Sequence, residues 1–306
     1  MNENRFARLP DRFRQNIFDL YAEKGARWLE DLPGLIEKIA LSWSLEVAEP
    51  FPNLSYNFVA PCRCADGTKA VLKIGYKEKD SIVLSEAKCL EIFDGRGAVK
   101  LLKVDEYICA LLLERLLPGE DLTGLCKTDD EQATAIAIGV MKKIRRAQPY
   151  ANGFPDLKTW TSGLGKAEQT VFSHRHLKKA QKCFNELTGS SKQRLLHGDL
   201  HHQNILSAER ESFLAIDPKG IIGDTGFEIA VFLNNPRTWI LTHPNRREIL
   251  EKRVAAFAEH FEIEPKELRQ WAYAEAVLSA WWTLEDNGAD WEKWLATAEM
   301  WEEIGI

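Results

Sequence analysis

The sequence predicts an α+β chain in two lobes: residues 1–117 form an N-lobe built on an antiparallel sheet with helices, and residues 118–306 a mainly helical C-lobe. Three observations predict it. Between residues 45 and 116 the apolar residues fall in short strand-like runs, with a hairpin signal at Asp66-Gly67. The continuous apolar run from Tyr107 to Leu117 then ends at Pro118-Gly119, a strong breaker. Beyond that point apolar residues return at helical spacing, interrupted by one hairpin-like stretch near residues 196–216.

Composition narrows the function. The 306 residues are 45% hydrophobic, ample for a packed core, and carry a net charge of −6. No broad basic field is available for nucleic acid. The six cysteines are scattered, and Cys62-x-Cys64 has no matching second pair, so reduced thiols in a cytoplasmic protein are expected rather than zinc. Met1 to Arg14 is charged and lacks the apolar core of a secretory signal, and no apolar run approaches the ~20 residues of a membrane span.

Taken in order, residues 11–31 read as an amphipathic helix, Pro33-Gly34 as an interruption, and Leu35 to Trp43 as a second helix. Strands follow at Leu45 to Ala48, Tyr56 to Pro61 and Lys69 to Gly75. The loop joining the first two occupies the place of a phosphate-covering loop but lacks Gly-x-Gly-x-x-Gly; Ser55 and Asn57 are its candidate phosphate donors. Lys73 stands in an apolar strand, where a lysine is either at an exposed edge or aimed at an anion. Glu86 lies thirteen residues on, in a helical stretch from Ser81 to Phe93, with Glu91 as a competitor pointing elsewhere. Such a lysine–glutamate pair is how kinases hold the α- and β-phosphates. Two more strands, Ala98 to Asp105 and Tyr107 to Leu116, lead to the lobe boundary. There the backbone groups of Glu114 and Leu116 could meet an adenine edge.

The C-lobe opens with a helix over Asp129 to Arg146, with Thr128 as N-cap and Glu131 completing a capping box. A second helix is expected over Gly163 to Leu187, with His174-Arg175-His176 on a solvated face. Then comes Leu196-His197-Gly198-Asp199-Leu200-His201-His202-Gln203-Asn204-Ile205-Leu206, a turn, and Phe213-Leu214-Ala215-Ile216-Asp217-Pro218-Lys219-Gly220. Phosphoryl transfer needs a carboxylate to orient a hydroxyl and take its proton, and hard oxygen ligands to hold Mg²⁺ against the phosphates. Asp199, Asn204 five residues later and Asp217 after the returning strand match that spacing. Alone, each is an ordinary turn or strand-end residue. Asp224 is expected to cap the next helix and brace the loop, with Glu228 on the same face in a structural role. From residue 259 on, twelve carboxylates stand against three basic side chains, a local balance of −9 that leaves +3 elsewhere, and six tryptophans crowd the same end. An acidic wall with aromatic floors suits a cationic small molecule; solvated surface helices account for the same charges equally well.

These motifs together resemble the aminoglycoside phosphotransferases. The Asp217-Pro218-Lys219-Gly220 variant and Leu54-Ser55-Tyr56-Asn57-Phe58-Val59 resemble the streptomycin 6-phosphotransferase and hydroxyurea phosphotransferase branch in particular. The resemblance implies a protein-kinase-like bilobal fold, ATP with Mg²⁺, and γ-phosphate transfer to a hydroxyl of a small molecule, as in antibiotic resistance. Carried over by position, Asp199 is the catalytic base, Asn204 and Asp217 are the metal ligands, and Lys73 with Glu86 positions the phosphates. Thr225-Gly226 departs from the branch, where a proline is expected after Gly223-Asp224. The acceptor implied is polyhydroxylated and cationic, such as streptomycin. Hydroxyurea, another hydroxylated metabolite, or nucleotide binding without turnover remain as alternatives.

Overall fold

A computed structural model describes residues 9–78, 81–146, 153–169, 172–188, 193–285 and 290–306. They fall into two compact units: one within Met1–Gly95 and Val99–Leu116, the other within Arg96–Ala98 and Leu117–Ile306.

The first unit begins with α1 (Asp11–Trp43), two helical segments meeting at Ala22, whose φ of 48° and ψ of −134° are not helical. The break expected at Pro33-Gly34 is therefore misplaced, and the helix continues through Pro33. Gly25 explains the position of the kink. A Cβ there would lie 2.6 Å from the Ile17 carbonyl oxygen, so the second segment folds back directly onto the first. Beyond the kink Trp28, Leu32, Ile36 and Ile39 form a buried stripe at helical spacing. That packing holds the helix together across the one hydrogen bond that Pro33 cannot make.

The sheet comprises β1 (Leu45–Val47), β2 (Phe58–Cys64), β3 (Lys69–Ile74), β4 (Leu101–Asp105) and β5 (Ala110–Glu114), with α2 (Ile82–Phe93) between β3 and β4. Its order is β1-β2-β3-β5-β4, and every neighbouring pair is antiparallel. Asp66-Gly67 closes the β2–β3 hairpin: Gly67 takes a φ of 86°, and Thr68 N–H donates to Asp66 Oδ1 at 2.9 Å. Ala110 to Leu113 are all buried, as an unbroken apolar run requires. One face of the sheet, through Phe58, Ala60, Leu72, Ile74, Ala110 and Leu112, shares a core with Phe13, Ile17, Leu32 and Ile36 of α1. Residues 107–109, expected to begin a strand, instead form with Glu106 the turn between β4 and β5, held by Ile108 N–H on Asp105 Oδ1 at 2.8 Å.

The second unit runs β6 (Pro118–Asp121), α3 (Leu122–Cys126), α4 (Asp130–Arg146), α5 (Leu157–Thr161), a 3₁₀ stretch (Ser162–Gln169), α6 (His174–Leu187) and β7 (Arg194–Leu196). A 3₁₀ turn (His202–Asn204), β8 (Ile205–Ala208), β9 (Phe213–Ala215) and β10 (Ile221–Gly223) follow. It ends with α7 (Thr225–Leu233), α8 (Arg237–Thr242), α9 (Arg246–Phe261), α10 (Pro265–Glu285) and α11 (Trp291–Ile304). Pro118-Gly119 ends the apolar run and opens the next strand, since β6 pairs with β8 in a three-stranded sheet, β6-β8-β9. The cap of α4 is Asp129, not Thr128. Asp129 Oδ1 accepts from Gln132 N–H at 2.9 Å, while Glu131 pairs with Lys252 instead of reaching back. The helix expected over Gly163 to Leu187 is two pieces, and only the second is α-helical. Two glycines at 163 and 165 weaken the first. His176 is buried rather than solvated, and its Nδ1 lies 2.9 Å from Tyr273 Oη. At the centre Trp271 of α10 lies against Gly226 of α7, where any Cβ would collide with the indole. This contact gives a reason for glycine in the Thr225-Gly226 departure. Among the described residues no helix is long and apolar enough to cross a membrane.

Candidate active site

The first group of predicted site residues lies in the first unit. Lys73 sits on β3 in register with Val59 on one side and Leu111 on the other. Its Nζ is 2.5 Å from Glu86 Oε2, and the two side chains are 7% and 1% exposed. Glu86 occupies the buried face of α2 with Val83, Ala87, Leu90 and Phe93, a place that would otherwise be apolar, whereas Glu91 is exposed. A buried carboxylate at such a position requires a cation, and Lys73 supplies it. Ser55 is exposed, and its carbonyl accepts from Asn16 Nδ2 at 2.9 Å. Asn57 is half-buried, with Oδ1 close over Gly75 at the end of β3. Glu114 closes β5. Its N–H donates to Lys100 O at 2.9 Å, and its Oε2 accepts from Lys100 N–H at 3.1 Å. Leu116 is buried two residues past the strand end.

The second group is assembled by one loop and one hairpin. β7 pairs antiparallel with β10, Leu196 opposite Ile221, and so delivers His197 at a fixed point. The chain then turns through Gly198, whose φ of 84° glycine adopts without strain. His197 and Gly198 N–H donate to Glu228 Oε1 and Oε2 at 2.9 and 2.8 Å. Glu228 is therefore the carboxylate that braces the loop. Asp224 caps α7 as expected, accepting from Gly226 N–H at 2.9 Å. Burial pushes the Glu228 carboxyl up to about 7, against the downward pull of the two N–H groups.

His197 ties the loop to the hairpin. Its Nε2 lies 2.8 Å from Ile216 O, and its Nδ1 accepts from Asp199 N–H at 3.2 Å. One ring nitrogen donates and the other accepts, the pattern of a neutral imidazole, and burial pushes its pKa down to about 3. The His197 carbonyl accepts from Lys219 and Gly220 N–H at 2.8 and 3.2 Å. Asn204 Nδ2 donates to Asp199 O at 2.8 Å, and Asn204 O accepts from Ile216 N–H at 2.9 Å. Asp199, Asn204 and Asp217 are thus cross-linked through the backbone. Asp217 adopts a left-handed φ of 60° directly after β9. The Lys219 ammonium stands 3.2 Å from Asp217 Oδ2 and 3.7 Å from Asp199 Oδ2, and His201 Nε2 is 3.6 Å from Asp199 Oδ1.

This donor set fits a hard divalent cation. With Asn204 Nδ2 engaged, its amide oxygen and the Asp217 carboxylate are the oxygen atoms that could hold such a cation, and one positive group, the Lys219 ammonium, already lies beside that carboxylate. Behind the loop, His202 is buried and stacked on Phe232, ring centroids 4.0 Å apart. The buried Arg253 of α9 lies 3.4 Å from His202 Nε2 and holds Asp130 Oδ1 at 2.6 Å. Cys126, Asp130 and His202 have ligand-type atoms within 4.8 Å of one another, but the guanidinium already supplies the positive charge there.

His197, Lys219 and Arg253 were not assigned roles from sequence. The first two lie inside the motif, so position alone could have flagged them. Arg253, in a helix 51 residues beyond His202, gave no signal. The acidic C-terminal stretch is largely engaged in internal pairs. Glu302 meets Arg175 and Lys179, Glu303 meets Arg246, and Glu285 meets Lys166. Glu275 is fully buried, bonded to Asn234 and Ser279, and Asp286 lies outside the described residues. Trp160 and Trp282 meet edge to face at 5.3 Å, and Arg237 stacks over Trp294 at 4.2 Å.

The sequence model described as aminoglycoside/hydroxyurea antibiotic resistance kinase matches residues 44–287. The chain is 27% identical to the streptomycin 6-kinase of Streptomyces glaucescens over 297 residues, 94% of this chain and 95% of that protein. It is 31% identical to the hydroxyurea phosphotransferase of Kitasatospora aureofaciens over 269 residues, 86% of this chain and 76% of that protein. The solved structure of amicoumacin kinase hAmiN aligns with a TM-score of 0.65 at 14% identity, over 93% of this chain and 95% of that one. The protein-kinase-like fold expected from the sequence is the fold of the chain.

Proposed function

We propose that this chain, which belongs to the aminoglycoside/hydroxyurea antibiotic resistance kinase family, phosphorylates a hydroxyl of a streptomycin-like acceptor at the expense of ATP. The observation that carries the reading is the cross-linked trio: Asn204 Nδ2 on Asp199 O at 2.8 Å, with both carboxylates beside one ammonium. Asp199 orients the acceptor hydroxyl and takes its proton. The acceptor oxygen forms its bond to the γ-phosphorus as the bond to the β-phosphate oxygen breaks, and ADP leaves with that electron pair. Mg²⁺ on Asn204 and Asp217 would supply charge neutralisation at the β- and γ-phosphates. Lys73, fixed by Glu86, holds the α- and β-phosphates. Ser55 and Asn57 donate from the loop ahead of β2, and Glu114 and Leu116 offer backbone groups to adenine. In this reading residues 1–117 are the nucleotide lobe and residues 118–306 the acceptor lobe. Cytoplasmic residence belongs to the same proposal, because ATP is made there and none of the six cysteines is in a disulfide.

Support for a streptomycin-type acceptor comes from the named relatives and from the Trp160–Trp282 pair, an aromatic surface suited to a cation. A second reading, a small neutral acceptor such as hydroxyurea, is favoured by Arg237. Its Nε and Nη1 are buried without a hydrogen-bond partner and would be satisfied by a carbonyl or hydroxyl oxygen. ATP consumption with Mg²⁺ and streptomycin, with hydroxyurea, and without acceptor tests both. Streptomycin-dependent turnover with a phosphorylated product supports the first reading, and turnover with hydroxyurea alone the second. ATP hydrolysis indifferent to both acceptors contradicts each.

A further inference from the structure

We propose that Lys219 is a further catalytic residue of this site. Its ammonium holds the Asp199 and Asp217 carboxylates together before nucleotide binds, and turns to the transferring phosphoryl group once a divalent cation engages Asp217. The proposal rests on the phosphotransferase reading above.

The five residues matched to the kinase pattern leave Lys219 without a task, yet it touches both carboxylates central to the chemistry, at 3.2 and 3.7 Å. Its backbone is part of the frame that builds the site, since its N–H donates to His197 O at 2.8 Å. Its side chain is 28% exposed, and those of Asp199 and Asp217 are 34% and 31%, so the group is open to a ligand. Two carboxylates so close to a shared point repel each other unless a cation sits there. Lys219 supplies that cation on a flexible four-carbon stem. A divalent cation at Asp217 makes the ammonium surplus at that carboxylate and repels it. The phosphoryl oxygens would then offer the ammonium a partner of opposite charge. As the acceptor oxygen bonds to phosphorus and the bridge to the β-phosphate opens, Lys219 neutralises charge on the group in flight, while Asp199 takes the hydroxyl proton.

The test uses Lys219→Met and Lys219→Arg in the full-length protein, with two readouts. In turnover, Lys219→Met lowers kcat roughly 100-fold or more and leaves the KM for ATP within about threefold. Lys219→Arg, which keeps the charge, recovers at least about tenfold of the loss. The second readout is Mn²⁺ binding without nucleotide, followed by electron paramagnetic resonance. Removing a competing cation from Asp217 makes Lys219→Met bind Mn²⁺ about fivefold more tightly than the parent, the scale of one part-exposed ion pair. Turnover of Lys219→Met within about threefold of the parent overturns the proposal. Mn²⁺ affinity unchanged in Lys219→Met overturns it too, because the loss of turnover would then be merely structural. A parent protein that turns over no acceptor sinks the phosphotransferase reading and not the lysine, whose claim on Asp217 the Mn²⁺ titration decides alone.

Discussion

Replacing Glu228 with glutamine removes the carboxyl that braces the Asp199 loop and changes little in volume. The carboxyl is fully buried, accepts from two backbone N–H groups, and titrates near 7 instead of the ordinary 4.5. At 1.36 kcal/mol per pH unit that displacement amounts to about 3 kcal/mol. Between 4.5 and about 7 the folded chain keeps a proton that the unfolded chain has lost. The Glu228 contribution is therefore complete below 4.5 and disappears as pH rises through about 7. His197 acts in the opposite sense. Burial holds it near 3, so stability is lost as pH falls below 6.5. Raw stability curves mix the two, but the difference between parent and Glu228→Gln isolates the carboxyl. Urea unfolding of both proteins from about pH 5 to about pH 8 should show the parent's advantage shrinking by about 2–3 kcal/mol across that range. The glutamine amide also faces one loop N–H with an N–H of its own. The resulting displacement of Asp199 should cost about 100-fold in kcat. A stability difference that stays flat with pH would refute the assignment of Glu228 as a buried, proton-retaining brace. Unchanged kcat would refute its control of the loop.

Glu86→Gln should destabilise the first unit by about 3–5 kcal/mol, because it leaves the Lys73 ammonium buried without its countercharge. Lys73→Met with Glu86→Leu in one chain should recover most of that stability but not ATP affinity, which separates the structural role of the pair from the proposed role on phosphate. A double mutant as unstable as the single one would contradict this. Gly226→Ala should cost about 1–3 kcal/mol by forcing Trp271 aside, read as a lowered melting temperature and a changed tryptophan emission. An unaltered melting temperature would show that α7 and α10 can separate freely.

Local pattern carried much of the fold. The Asp66-Gly67 hairpin, the apolar β5 and the hairpin from Ile205 to Ala215 are set by neighbours in the chain, and such signals survive folding. Features decided by tertiary packing were misplaced. Pro33 reads as a breaker, but the contact of Gly25 on Ile17 puts the kink at Ala22. Asp224 caps α7 as its position suggests, but only the loop's position reveals that Glu228 receives the N–H groups of His197 and Gly198. The pairing of Lys73 with Glu86 was legible because a lysine in an apolar strand and a glutamate on an apolar helix face each need a partner. The acidic C-terminus left a substrate-facing wall and solvated helix faces as equal readings. Charge counts do not show that Glu302 and Glu303 are taken up by Arg175, Lys179 and Arg246.

The most direct test of Asp199 as the base compares Asp199→Asn with the parent in acceptor-dependent ATP consumption and in nucleotide binding, each with Mg²⁺. The amide keeps the shape and the backbone bond from Asn204 but cannot take the hydroxyl proton. Turnover should fall by about 10²–10⁴-fold while ATP binds within about threefold of the parent. Near-parent turnover in Asp199→Asn would show that the proton goes elsewhere and would contradict the account at its centre.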